Sequence, residues 1–152
     1  MEAEVLQLGA NLALGSVMVA LTVLISFWGF LGLTWLMSSS HARIRPHAGN
    51  ARAAVLILLV VLGIFALHTV QIWLYAVLYL LLGELATFEQ ALYFSTITFA
   101  SLGYGDIVLS SDWRVLSGIE AANGVVLFGW STAFLLTVTA RLKLLEHEWL
   151  EP

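Results

Sequence analysis

The chain alternates long apolar runs with short polar breaks, and the length of each run decides what it can be. From about Leu12 to Met37 the sequence is apolar, inside a stretch with no charged residue between Val5 and Ser40. A second run extends from about Ala53 to Gly83, interrupted only by His68, Thr69 and Gln71. A third, from about Val115 to Ala140, contains Glu120 and Asn123. Each exceeds the roughly 20 apolar residues that cross a bilayer at about 1.5 Å per residue. The pattern predicts an all-α membrane protein with three transmembrane helices.

A fourth apolar segment, Leu85 to Val108, reads differently. Thr87-Phe88-Glu89-Gln90 is a helix start, in which Thr87 caps free backbone donors and Gln90 reaches back. A helix from Phe88 to about Phe99 would be ~18 Å long, too short to cross. Then comes Ser101-Leu102-Gly103-Tyr104-Gly105-Asp106, with two glycines where a helix does not continue comfortably. Both flanking spans open to the same side, so the segment must enter and leave the membrane through one face. Irregular backbone at that depth is tolerated only where protein buries it or where it lines a water-filled path. A re-entrant short helix followed by a pore loop is the expected structure.

Composition agrees, and charge adds an orientation. The chain is 61% hydrophobic and only 11% charged, far from soluble norms. It has no cysteine, which excludes disulfides and thiolate metal sites. The net charge of −4 comes mainly from tails and loops, and no basic patch suits nucleic acid. Arg43, Arg45 and Arg52 fill the loop between the first two spans, and Arg141 and Lys143 follow the third, so five of the six Lys and Arg share one side. The positive-inside rule makes that side cytoplasmic and puts the N-terminus outside. Glu2 and Glu4 before a long apolar run do not fit a secretory signal.

The stretch Thr96-Ile97-Thr98-Phe99-Ala100-Ser101-Leu102-Gly103-Tyr104-Gly105-Asp106 resembles the pore signature of potassium channels, usually Thr-Val-Gly-Tyr-Gly-Asp. The likeness spans roughly residues 53–142, in the manner of the two-helix pore domain of bacterial type, with an extra N-terminal helix in front. It implies a peripheral helix and basic linker over 1–52, and a pore domain over 53–142. That domain would hold an outer helix at 53–83, a pore helix at 88–100, a selectivity filter at 101–106 and an inner helix at 115–140. Residues 143–152 form a short cytoplasmic tail, with no room for a soluble ligand domain. It further implies a fourfold homotetramer in a bacterial inner membrane, with membrane lipid as the other partner. Arg43, Arg45 and Arg52 suit anionic lipid, although topology already explains them.

In this reading, carbonyls of Ser101, Leu102, Gly103 and Tyr104 replace the hydration shell of permeant K+ ions. Gly103 and Gly105 supply positive φ without a Cβ clash. The C-terminus of the pore helix directs partial negative charge toward the pore centre. Thr98 is filter scaffolding, the Ser101 hydroxyl an innermost ligand, and Tyr93 lies within reach of Asp106. On the inner helix, Phe128, Thr132, Leu135, Leu136 and Thr139 recur at helical spacing and face a cavity. Gly124 is either a hinge or a close-packing residue, and for Gly129 packing is favoured.

The sequence also departs from the family. Ser101 replaces the usual Thr, Leu102 the usual Val or Ile, and Phe94 a Trp whose N–H braces the filter. Ile97 stands where some members carry a Glu paired with the Asp after the filter. Glu120, a carboxylate inside a span, is expected behind the filter and pore helix. There it either braces them or, protonated, serves helix-to-helix hydrogen bonding. Asn123 is read as a packing hydrogen bond. His68 and Gln71, three residues apart, share a helix face and bond a neighbouring helix. The first span carries Trp28, Gly29, Gly32 and Trp35 but no basic ladder, so it is not a voltage sensor. It is expected to pack peripherally. A weakly selective cation channel and a non-conducting subunit that regulates a partner remain open. An enzyme is disfavoured, since no triad, ligand cluster or acid pair is present.

The orientation generates a labelling prediction. A cysteine introduced at Glu4 reacts with an impermeant thiol reagent in spheroplasts, whereas one at Asn50 reacts only after permeabilisation. Reversed labelling would invert the topology.

Overall fold

The structure is a computed structural model that describes residues 1–41 and 50–141. Arg43, Arg45, Lys143 and the 143–152 tail lie outside the described residues, as does the side chain of Arg52. Four helices follow in chain order: α1 (Glu2–His41), α2 (Asn50–Leu81), α3 (Phe88–Phe99) and α4 (Arg114–Arg141). α1, α2 and α4 are each long and apolar enough to cross a membrane, and α3, at 12 residues, is not. The chain is an all-α, multi-pass membrane protein.

The helix ends show how local chemistry sets the boundaries. α1 starts ten residues before the apolar run, at Glu2, and is 40 residues long, ~60 Å by the helical rise. Glu2 and Glu4 lie in its first turn, where carboxylates favour the helix dipole. α2 stops at Leu81, not at Gly83. Gly83 takes φ 72°, its N–H donates to Leu80 O at 3.0 Å, and Glu84 N–H donates to Tyr79 O at 3.1 Å. This paired closure with glycine in the left-handed region is a Schellman end. α3 begins as its sequence predicts. Thr87 is extended (φ −130°, ψ 154°) and its Oγ1 accepts from Gln90 N. The return bond from the Gln90 side chain is absent among the described residues.

α2 packs against α3, α3 against α4, and α1 against both α2 and α4 but not α3. One apolar core joins Tyr75 and Tyr79 of α2, Phe94 and Phe99 of α3, and Leu116 and Leu127 of α4. A second, nearer the other end, joins Phe30, Val60, Ile64 and Val138.

α1 is closely packed and bonded against α2 and α4. Gly15 receives Ile119 of α4, Gly29 receives Leu67 of α2, and Gly63 of α2 receives Leu33 in return. Polar side chains then lock the register. Asn11 donates to Asp112 O at 2.7 Å and accepts from Leu116 N at 3.0 Å, so α1 caps the first turn of α4 from outside. Asn123 Nδ2 donates to Thr22 Oγ1 at 2.8 Å and to Tyr75 Oη at 3.3 Å. Gln71 Nε2 donates to Ser26 Oγ at 2.7 Å and to Thr22 O at 3.1 Å. His68 meets Gln71 Oε1 and Ser131 Oγ at 2.9 Å each.

At Gly124 the packing alternative holds, because a Cβ there would overlap the backbone carbonyl of Phe99. At Gly129 a Cβ would meet nothing within 4 Å in the single chain. Gly124→Ala should therefore destabilise the protein by about 1–3 kcal/mol, the usual cost of overpacking. Gly32→Ala, where a Cβ meets nothing within 4 Å, should leave stability unchanged or raise it by up to about 1 kcal/mol. Thermal unfolding in detergent reads both.

Candidate functional site

The 101–106 loop begins where α3 closes. Ser101 N donates to Thr98 O and Leu102 N to Ile97 O, both at 2.8 Å, repeating the closure seen at Gly83. Here the left-handed residue is Ser101, at φ 57°. Holding a residue with a Cβ in that region costs about 1 kcal/mol, and nothing in the sequence marks it. Gly103 (φ 53°) and Gly105 (φ 77°) are also left-handed, while Leu102 and Tyr104 between them are not. Positive φ thus recurs at every second position. Among the described residues, the carbonyls of Ser101, Leu102, Gly103 and Tyr104 accept no hydrogen bond.

The side chains around the loop divide into those that bond and those that only pack. Tyr93 Oη donates to Asp106 Oδ2 at 2.7 Å. That bond holds the Asp106 carboxyl below the usual carboxylate range and pushes the Tyr93 phenol up. Phe94 and Ile97 are buried; Phe94 packs edge-on against Tyr79 at 5.2 Å. Thr98 lines a cavity of about 380 Å³ with Ser101, Gly103, Gly105 and Gly118. Glu84, at the turn after α2, accepts from Ser110 N at 2.8 Å and Ser110 Oγ at 2.9 Å, fixing the chain beyond the loop.

Glu120 is fully buried at the junction of three helices. Tyr79 Oη donates to its Oε2 at 2.5 Å, and Ser95 Oγ lies 2.5 Å from its Oε1. Ser95 Oγ is also 2.9 Å from Ile72 O. Tyr79 and Ser95 did not stand out in the sequence. The available signal was a hydroxyl in the middle of a short buried helix and a tyrosine one turn after Tyr75.

Phe128, Thr132 and Leu135 line a cavity of about 650 Å³ between α4, the Phe65, His68 and Ile72 side of α2, and the Thr96–Ala100 end of α3. Leu136 is exposed and lies outside it. Phe128 closes an aromatic cluster, edge-on to His68 at 4.8 Å and to Phe99 at 5.5 Å. Among the described residues, no cluster of His, Asp or Glu suits a metal.

A family model described as an ion channel matches residues 65–141, about half of the chain. The chain belongs to the ion channel family. The match runs from within α2 through α3 and the loop to the end of α4, and it leaves α1 outside. No curated protein and no solved structure matches the chain.

In this channel the Tyr93–Asp106 bond is testable on its own. Because the bond depresses the folded-state pKa of Asp106, its contribution is present above the ordinary carboxylate range. It is lost as pH falls through the folded value. Tyr93→Phe should raise the Asp106 titration toward an ordinary carboxylate, as read by carbon NMR of labelled aspartate. An unchanged titration would show that the hydroxyl does not hold it.

Proposed function

We propose that the channel is a homotetramer that conducts dehydrated K+ through a ring of backbone carbonyls contributed by Ser101, Leu102, Gly103 and Tyr104. The observation that carries this reading is the alternation of positive φ at Ser101, Gly103 and Gly105. Positive φ at every second position lets successive carbonyls turn toward one axis, which Gly103 and Gly105 do without a Cβ clash. Carbonyls without hydrogen-bond donors, at membrane depth, are the groups that replace the water around a cation.

Assembly follows from the same loop. Leu102 is 55% and Tyr104 67% exposed in the single chain, and one loop supplies only a fraction of a coordination shell. Four copies around an axis cover these side chains and complete the shell. The C-terminus of α3 then favours a cation below the filter, with Phe128 and Thr132 near the cavity and Asp106 at the mouth. Tyr93, Thr98, Asp106 and Glu120 support the filter, and the clustered basic residues favour an N-out, C-in orientation in a bacterial inner membrane. A weakly selective cation channel is the second reading, motivated by Phe94, which offers the loop no donor.

Flux into liposomes tests the proposal. Gly103→Ala places a Cβ on a residue at φ 53°, costing about 1 kcal/mol or more, and crowds four methyls into one ring. K+ flux should fall sharply while the four-chain mass in detergent persists. Ser101→Thr should keep flux and leave or sharpen the preference for K+ over Na+. Wild-type flux with unchanged selectivity in Gly103→Ala would remove the loop from the conduction path.

A further inference from the structure

The Glu120 junction can be examined by counting protons. Three close oxygen contacts meet there: Tyr79 Oη with Oε2, Ser95 Oγ with Oε1, and Ser95 Oγ with Ile72 O. Each needs one hydrogen between its oxygens. The Tyr79 and Ser95 hydroxyls supply one apiece, and the Ile72 carbonyl supplies none. An ionised carboxylate also supplies none, so one pair of oxygens would face each other bare. Neither oxygen of Glu120 meets a cationic partner among the described residues, and an unpaired buried charge is the costliest arrangement available.

A neutral acid closes the count in one way. Among the described residues Tyr79 has no other acceptor, so its hydroxyl donates to Oε2. The remaining proton sits on Oε1 and is donated to Ser95 Oγ, which frees the Ser95 hydrogen for Ile72 O. The result is a one-directional chain through which α4 holds α3 and α3 holds α2. α4 touches α3 a second time where Gly124 meets the Phe99 carbonyl, one turn along. Between these contacts, Ser95 and Phe99 are the last buried turn before Ser101.

We propose that Glu120 is a neutral acid whose Oε1 proton is donated to Ser95, and that this bond positions α3 and through it the carbonyl ladder. Glu120 is thus a positioning residue, and this part rests on the filter reading above.

The test joins a spectroscopic arm to a transport arm. The infrared difference between wild-type channel and Glu120→Gln at neutral pH should show loss of one protonated-carboxyl C=O band. In liposomes Glu120→Gln should retain flux and K+ over Na+ discrimination within about twofold, because its amide accepts from Tyr79 and donates to Ser95. Glu120→Leu and Ser95→Ala should each lower discrimination severalfold, to about tenfold, with the assembly checked by mass. Absence of the band overturns the proton assignment whatever the flux. Wild-type discrimination in an assembled Ser95→Ala channel overturns the positioning role. If Gly103→Ala conducts normally while the band is present, the filter reading has failed and the proton assignment stands.

Discussion

Inside a bilayer a polar atom has only the protein to bond, and this one constraint organises the molecule. Hydrophobicity cannot select among packings of helices whose faces are all apolar, because lipid satisfies such faces equally well. Selection falls to the few hydroxyl, amide and imidazole groups placed within the spans. Every described buried side-chain nitrogen or oxygen has a partner, and most partners lie on another helix. Asn11, Thr22 and Ser26 of α1, His68, Gln71, Tyr75 and Tyr79 of α2, and Glu120, Asn123 and Ser131 of α4 form successive seams along the bundle. Glycines bring the backbones close enough for these short side chains to reach. The polar seams set register and the glycines set distance.

That economy gives the loop its meaning. The terminal carbonyls of α3 are consumed by the Schellman closure at Ser101, as those of α2 are at Gly83. The next four carbonyls are left without donors in a chain whose buried side chains are otherwise fully partnered. The Tyr93–Asp106 bond and the Glu84–Ser110 contacts hold the loop's far end, and the Glu120 junction holds the helix before it. The 101–104 loop is thus the least internally bonded part of the described chain, fixed at both ends by well-bonded parts.

The architecture was legible because it depends on run length and terminators, which are local. Three long apolar runs, Thr87 before a short one, and Gly103 and Gly105 after it were enough to place every helix. Boundaries slipped where the deciding feature was a backbone angle or a distant partner. The 83 boundary assigned to α2 ignored the turn that Gly83 makes, and α1 was begun late because its first turns are polar and tied to Asp112. The site was legible where chemistry is rare: a carboxylate in a span, a tyrosine near an aspartate. It was illegible where common residues act through position. Ser101 gives no hint of its left-handed backbone, and Ser95 and Tyr79 look like ordinary membrane residues until Glu120 falls between them. The role of Gly124 needed the Phe99 carbonyl, which no spacing rule supplies.

The cap that Asn11 places on α4 has a consequence for how this chain relates to simpler two-helix members of its class. An added peripheral helix would leave a self-sufficient pore behind if lost. Here the loss of α1 would leave Leu116 N–H and the Gln71 amide without their partners and leave the Asn123 amide with Tyr75 alone. α1 thus supplies bonding partners to α2 and α4 at several positions together. The first helix is therefore bonded into the bundle along its length, though the family match begins only at residue 65.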